Sequence, residues 1–328
     1  MPAPYDSQEK FAVPVSAAYG LLFLLAFLLC YVAYMYAVRT HQEYYESSEY
    51  VAWQYSLQHS TATRDQALPL LVVGDSGIKA GFLARQTSSA AENLALGGTT
   101  PLVGFAFLQR YLAHNEAPHR VVISYSPYHL LWQDTFWERA VRFGVVNRTY
   151  FRELQQAAEE LNDPMLDDAL WWKYQLNPGA YIANLKRGLR TARWRQYAPE
   201  YAALSASGGH QYFGTRAAAH RGNAETRAGE FRPSPLLDRY LRKMIQASVA
   251  AGSATYLITP PFSELSCAQL APGFIAQFSD YIEQLRELGL SGVTGIECRP
   301  NADFGDAAHL YRGAQQFTHD LLREVGLD

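Results

Sequence analysis

From Phe11 to Val38 the chain carries no charged residue, and Leu21-Leu22-Phe23-Leu24-Leu25-Ala26-Phe27-Leu28-Leu29 at its centre is apolar on every side. About 20 such residues cross the hydrocarbon core of a bilayer as a helix. Tyr31, Tyr34 and Tyr36 gather at the distal end, as interfacial aromatics do. A cleaved signal peptide is the alternative, but its apolar region runs to roughly 7–15 residues and stops at a small-x-small site. Here the run ends in Tyr34-Met35-Tyr36-Ala37-Val38-Arg39. The pattern predicts an uncleaved anchor over 1–40 that meets the lipid bilayer through residues 15–38. Lys10, beside Asp6 and Glu9, and Arg39 flank the span, so charge barely orients it.

Residues 41–66 mix polar side chains with Tyr44, Tyr45, Tyr50, Trp53 and Tyr55 and read as a helical stalk. The body, 67–328, then alternates between two periods. Leu70-Leu71-Val72-Val73 is a continuous apolar run, a strand buried on both faces, and it stops in Gly74-Asp75-Ser76. Further strands are predicted over 92–96, 120–125, 254–259 and 292–296, with helices over 78–86, 101–112, 236–251, 276–288 and 311–325. Between 131 and 232 the alternation lapses into helical patches over 132–141, 151–161, 169–174 and 181–197, an insertion with no convincing strand. Residues 205–209 and 217–229 read as loops. Strands joined through helices imply a parallel sheet. The fold class expected is α/β, flavodoxin-like, three layers α/β/α around a five-stranded parallel sheet, with a helical insertion and an N-terminal transmembrane helix.

Composition changes this picture little. The 328 residues carry a formal charge of −3, without the basic excess that nucleic acid requires. The three cysteines lack zinc-type spacing, and no metal or cofactor is expected.

The chemistry gathers where strands end. A serine at the carboxyl end of a strand, before a helix, is where an open α/β sheet presents a nucleophile. It needs a base. Asp306-Ala307-Ala308-His309 follows the last strand; the aspartate can accept from Nδ1–H and leave Nε2 to face Ser76. Asp303 is an alternative orienter, with the spacing favouring Asp306. Backbone N–H groups of Ser76 and Gly98 are the expected oxyanion donors.

Gly74-Asp75-Ser76, Asn93-x-x-x-Gly97-Gly98 and Asp306-x-x-His309, in that order, resemble the first, second and fifth blocks of the SGNH (GDSL-type) hydrolase superfamily. The resemblance implies a catalytic triad Ser76, Asp306, His309. The family's third block supplies an oxyanion asparagine, absent from Ser124-Tyr125-Ser126-Pro127-Tyr128; Ser126 is a candidate replacement. With the anchor and insertion, the chain is most similar to the membrane-anchored members that modify alginate and other exopolysaccharides by O-acetylation or transfer D-alanine to lipoteichoic acid. That implies a bacterial cytoplasmic (inner) membrane protein, single-pass, its catalytic domain periplasmic. It also implies a membrane-bound O-acyltransferase as acyl supplier and a polysaccharide acceptor. An esterase or deacetylase, and a catalytically degenerate scaffold, are the two other functions the residues allow.

Other residues carry plainer alternatives. Gly74-Asp75-Ser76 alone is equally a capped turn, and Asp75 is expected to tie loops together. Lys79, one turn after Ser76, reads as a solvated lysine, a contact for an anionic substrate, or the base of a Ser-x-x-Lys pair. Lys186, Arg187, Arg190, Arg193 and Arg195 form a basic run with Trp194 that suits lipid headgroups, an acidic glycan or plain solvent. His129, His210 and His220 lack metal spacing. Cys267 and Cys298 follow neighbouring strands and are expected either as a disulfide or as two reduced thiols; Cys30 lies in the span.

Overall fold

The computed structural model describes residues 15–86, 90–132, 135–176, 179–216, 218–227 and 229–327. Asp6, Glu9 and Lys10, the charges preceding the expected span, lie outside the described residues. Two compact units divide the chain, Met1–Gln42 and Glu43–Asp328.

The first unit holds α1 (Val15–Thr40), 26 residues long and so about 39 Å at 1.5 Å per residue, against roughly 30 Å for a bilayer core. Among the described residues it is the one helix long and apolar enough to cross a membrane. Leu22, Phe23, Phe27 and Leu29 stand exposed along it, as expected of a helix without a polar face.

The second unit is α/β. Its sheet contains β1 (Leu70–Gly74), β2 (Ala91–Asn93), β3 (Arg120–Ser124), β4 (Ala254–Ile258) and, after the short β5 (Phe262–Ser263), β6 (Gly292–Thr294). The spatial order is β2-β1-β3-β4-β6, all parallel. A small side ladder pairs β5 with β7 (Cys298–Arg299). Period-two alternation sends Leu71, Val73, Val121 and Ile123 into one core and Leu70, Val72 and Val122 into another across the sheet. Chain order reverses beside β1, where a parallel α/β sheet opens its crevice.

In chain order the helices of this unit are α2 (Ser48–Thr61), α3 (Ser76–Gly81), α4 (Pro101–His114), α5 (Arg148–Leu161), α6 (Asp168–Leu176), α7 (Gly179–Thr191), α8 (Trp194–Ser207), α9 (Pro235–Ala250), α10 (Glu264–Cys267), α11 (Phe274–Gln284) and α12 (Ala314–Glu324). Helices α2, α4 and α9 feed the first core, while α3 and α12 meet over the second.

Three expectations need correction. The stalk over 41–66 does not exist as such: α2 belongs to the body, with Val51, Ala52, Trp53 and Tyr55 buried and α4 and α8 packed on it. Its buried face ends on Glu92 of β2, which accepts from Tyr55 and pairs with His59 at 3.0 Å and Arg64 at 2.9 Å. The loop expected over 205–209 begins three residues too early, because α8 runs to Ser207 before Gly208 turns it in the left-handed region. The patch expected over 181–197 is two helices, broken at Ala192 with φ 51°. Up to Ser207 the rest of the insertion is helical between short connections, including a π-helical turn (Phe136–Val141), and beyond it the insertion's described residues hold one short 3-10 turn (Ala224–Arg227). The insertion shares the body's core through Phe151, Leu154 and Ala158.

Candidate active site

Gly74 brings β1 against β3 so closely that a Cβ there would lie 2.0 Å from the Ser124 carbonyl oxygen. The next residue, Asp75, is buried and caps α3. Its carboxylate accepts from the Gly77 N–H at 2.9 Å, the Ser126 N–H at 2.6 Å and His129 Nδ1 at 2.8 Å. Held by three donors, the buried Asp75 joins the ends of β1 and β3 and serves as a structural tie. Ser76 follows as the first residue of α3.

The loop after β7 brings Asp306 and His309. Asp306 accepts from the backbone N–H groups of Ala308 at 2.9 Å and His309 at 2.8 Å. It also bonds His309 Nδ1 at 2.9 and 3.0 Å through its two oxygens. A carboxylate only accepts, so Nδ1 carries the proton and Nε2 is left as the basic nitrogen. Burial raises the Asp306 carboxyl, but the hydrogen bond and charge of His309, with the two N–H groups, outweigh it and hold the group below its ordinary value. Phe213 of the insertion packs tilted against the imidazole, ring centres 4.7 Å apart.

Ser76, His309, Gly98, Ser126 and Arg139 line one cleft of about 190 Å³. Ser76 and His309 make no hydrogen bond with each other there. Such contacts are commonly long in a free enzyme. The N–H groups of Ser76 and Gly98 donate to no acceptor among the described residues, and Gly98 takes φ 67°, a conformation that costs glycine little. Ser126 Oγ is buried, with no partner among the described residues.

The Gly97–Gly98 turn is gripped from outside the sheet. Arg139 Nη1 donates to the Gly97 carbonyl at 2.7 Å and pairs with Glu49 of α2 at 3.4 Å, while Thr135 donates to the Gly98 carbonyl at 3.2 Å. Sequence reasoning passed over Arg139, Glu49 and Phe213; only the fold brings these three segments to the turn.

Lys79 is corrected. It is neither solvated nor in the cleft: it is fully buried and its Nζ donates to the Gly209 carbonyl at 2.8 Å. Burial lowers its pKa to about 7, against a smaller upward pull from Glu49 and Glu92. His210 is likewise structural, bonded to the Ala80 carbonyl at 3.1 Å, while His220 is exposed beside a larger groove of about 650 Å³ that Asp306 and Phe213 also line. Asn93 is buried and accepts from the Ala95 N–H at 3.1 Å. Cys267 and Cys298 are disulfide-bonded, and Ser266 beside them donates to the Ala307 carbonyl at 3.2 Å. The bridge therefore braces the loop that carries Asp306 and His309.

Compared with known proteins, the chain matches no family model and no curated protein.

Proposed function

We propose that the chain is a membrane-anchored serine O-acyltransferase that works through an acyl-enzyme on Ser76. What carries this reading is the convergence of Ser76 and an Asp306–His309 pair on one cleft beside two unbonded N–H groups. Ser76 Oγ attacks the acyl carbon while His309 Nε2 takes its proton. The oxyanion forms against the N–H groups of Ser76 and Gly98, with the Ser126 hydroxyl as third donor. The donor's leaving group departs with the proton from His309. An acceptor hydroxyl then gives its proton to His309, attacks the ester and releases Ser76.

The SGNH resemblance, and with it the flavodoxin-like three-layer fold, draws support from the strand order, from the first two motifs at the ends of β1 and β2, and from the third in the loop after β7. The acceptor in this reading is a cell-surface or exported polysaccharide, and the acyl group, acetyl by the same resemblance, comes from a membrane-bound O-acyltransferase. The disulfide fits an oxidising, periplasmic compartment, and α1 supplies the membrane attachment. A fluorophosphonate probe tests the chemistry: labelling in the wild type and none in Ser76→Ala is expected. Absent or Ser76-independent labelling supports the scaffold instead. Measuring acetyl transfer from an activated ester to oligosaccharide, against release of acetate, separates transferase from esterase.

A further inference from the structure

The body carries a surface that its own packing does not use. Between Asp168 and Glu200 the sequence contains no acidic residue but includes Lys173, Lys186, Arg187, Arg190, Arg193 and Arg195. Large apolar side chains stand exposed over the same stretch: Trp172 at 48%, Leu176 at 55%, Leu189 at 58% and Trp194 at 39%. Lys186, Arg190 and Arg195 have no acidic partner among the described residues.

Helix α7 fixes which way this surface faces. Its inner side rests on the start of the body: a Cβ at Gly188 would lie 2.1 Å from Tyr45 Cα, and Asn184 donates to the Glu46 carboxylate at 3.2 Å. Ile182, Lys186, Leu189 and Arg190, at helical spacing, make up the other side and are exposed. Tyr44, itself exposed, and Tyr45 follow Thr40, the last residue of α1, by four and five positions. The mixed apolar and cationic face thus belongs to a helix packed on Tyr45 and Glu46, among the first residues of the body and close in sequence to Thr40.

We propose that the outer face of α7, with Trp194, lies on the surface of the bilayer that α1 crosses and binds anionic lipid headgroups. Aliphatic and indole side chains enter the headgroup boundary while lysine and arginine meet phosphate. A bare face this apolar and this uniformly cationic is complementary to that partner and to little in bulk water. The inference rests on α1 as a membrane span and is independent of the chemistry at Ser76.

The test uses the full chain with Cys30→Ser, to remove the free thiol, and an environment-sensitive fluorophore on Leu189→Cys or, as control, on Ile275→Cys, exposed on α11. Each is reconstituted in nanodiscs of phosphatidylcholine with or without phosphatidylglycerol. Co-elution with the disc tests α1 separately; its loss overturns the anchor and the proposal with it. With phosphatidylglycerol, the probe at 189 is expected to shift to the blue, to be quenched by a shallow spin-labelled lipid, and to be several-fold less accessible to iodide than the probe at 275. Adding Lys186→Glu and Arg190→Glu is expected to return it to the control value. Equal iodide access at both positions, or protection untouched by charge reversal, overturns the proposal. Protection that appears only when other membrane proteins are added assigns the face to a protein partner and also overturns it.

Discussion

Ser126 Oγ is buried with no partner among the described residues, and Ser126 lines the same cleft as Ser76; a buried hydroxyl without a partner costs free energy unless a ligand atom fills it. If it completes the oxyanion site, Ser126→Ala is expected to slow acylation of Ser76 by about 10²–10³-fold with little change in substrate binding. Stopped-flow labelling across probe concentrations separates the two; an unchanged rate assigns Ser126 to packing alone. Asp306 acts differently, on the tautomer of His309. Asp306→Asn is expected to cut turnover by about 10⁴-fold while the circular dichroism spectrum and melting temperature stay close to wild type.

Lys79 makes a prediction about pH. Its folded pKa, about 7, lies below the value near 10.4 of an unfolded lysine. Between those values the unfolded chain binds more protons, so the unfolding free energy rises with pH. Lys79→Met is expected to remove that rise. Urea unfolding of both chains at intervals from about pH 7 to 9, below the onset of tyrosine ionisation, measures the difference, and parallel pH profiles would count against a strongly depressed lysine. Nothing local marks Lys79 as buried. The carbonyl that holds it belongs to Gly209, across the insertion, so its sequence neighbours read as an ordinary amphipathic turn.

At the scale of elements, β1 and β3 were readable because a strand covered on both faces is apolar without interruption. The Asp306–His309 pair was readable because the two residues sit three apart and need no distant partner to meet. Helix α2 was not readable in this way. Its buried Trp53 and Tyr55 alternate with Gln54 and Gln58, and what covers them, α4 and α8, comes from elsewhere in the chain. Arg139 was equally hidden, since its role depends on where the Gly97 carbonyl points. Two substitutions test the elements. Gly74→Ala forces a Cβ onto the Ser124 carbonyl and is expected to cost about 3 kcal/mol, read as a lowered urea midpoint with unchanged slope. Paired Cys267→Ser and Cys298→Ser opens a loop with a sequence separation of 31, an expected loss of about 3–4 kcal/mol. Because that bridge braces the loop that carries Asp306 and His309, probe labelling is expected to fall in native buffer as well.

For the whole molecule, the division after Gln42 separates the apolar helix from the body that holds the candidate site. A chain beginning at Glu43 is expected to label at the full-length rate in solution while no longer sedimenting with membranes. Slower labelling would mean that the anchor, or the lipid beneath it, contributes to the site.

The sheet order has a further consequence for how the protein is made. Ser76 opens α3 directly after β1, early in the chain, while His309, its proposed base, comes from the last loop before α12. Under the proposed mechanism, a chain under synthesis carries an unactivated Ser76 until the carboxyl-terminal segment arrives and docks. A chain ending at Pro300 is accordingly expected to be made and inserted yet remain unlabelled, and adding a peptide that spans 301–328 is the direct trial of late activation.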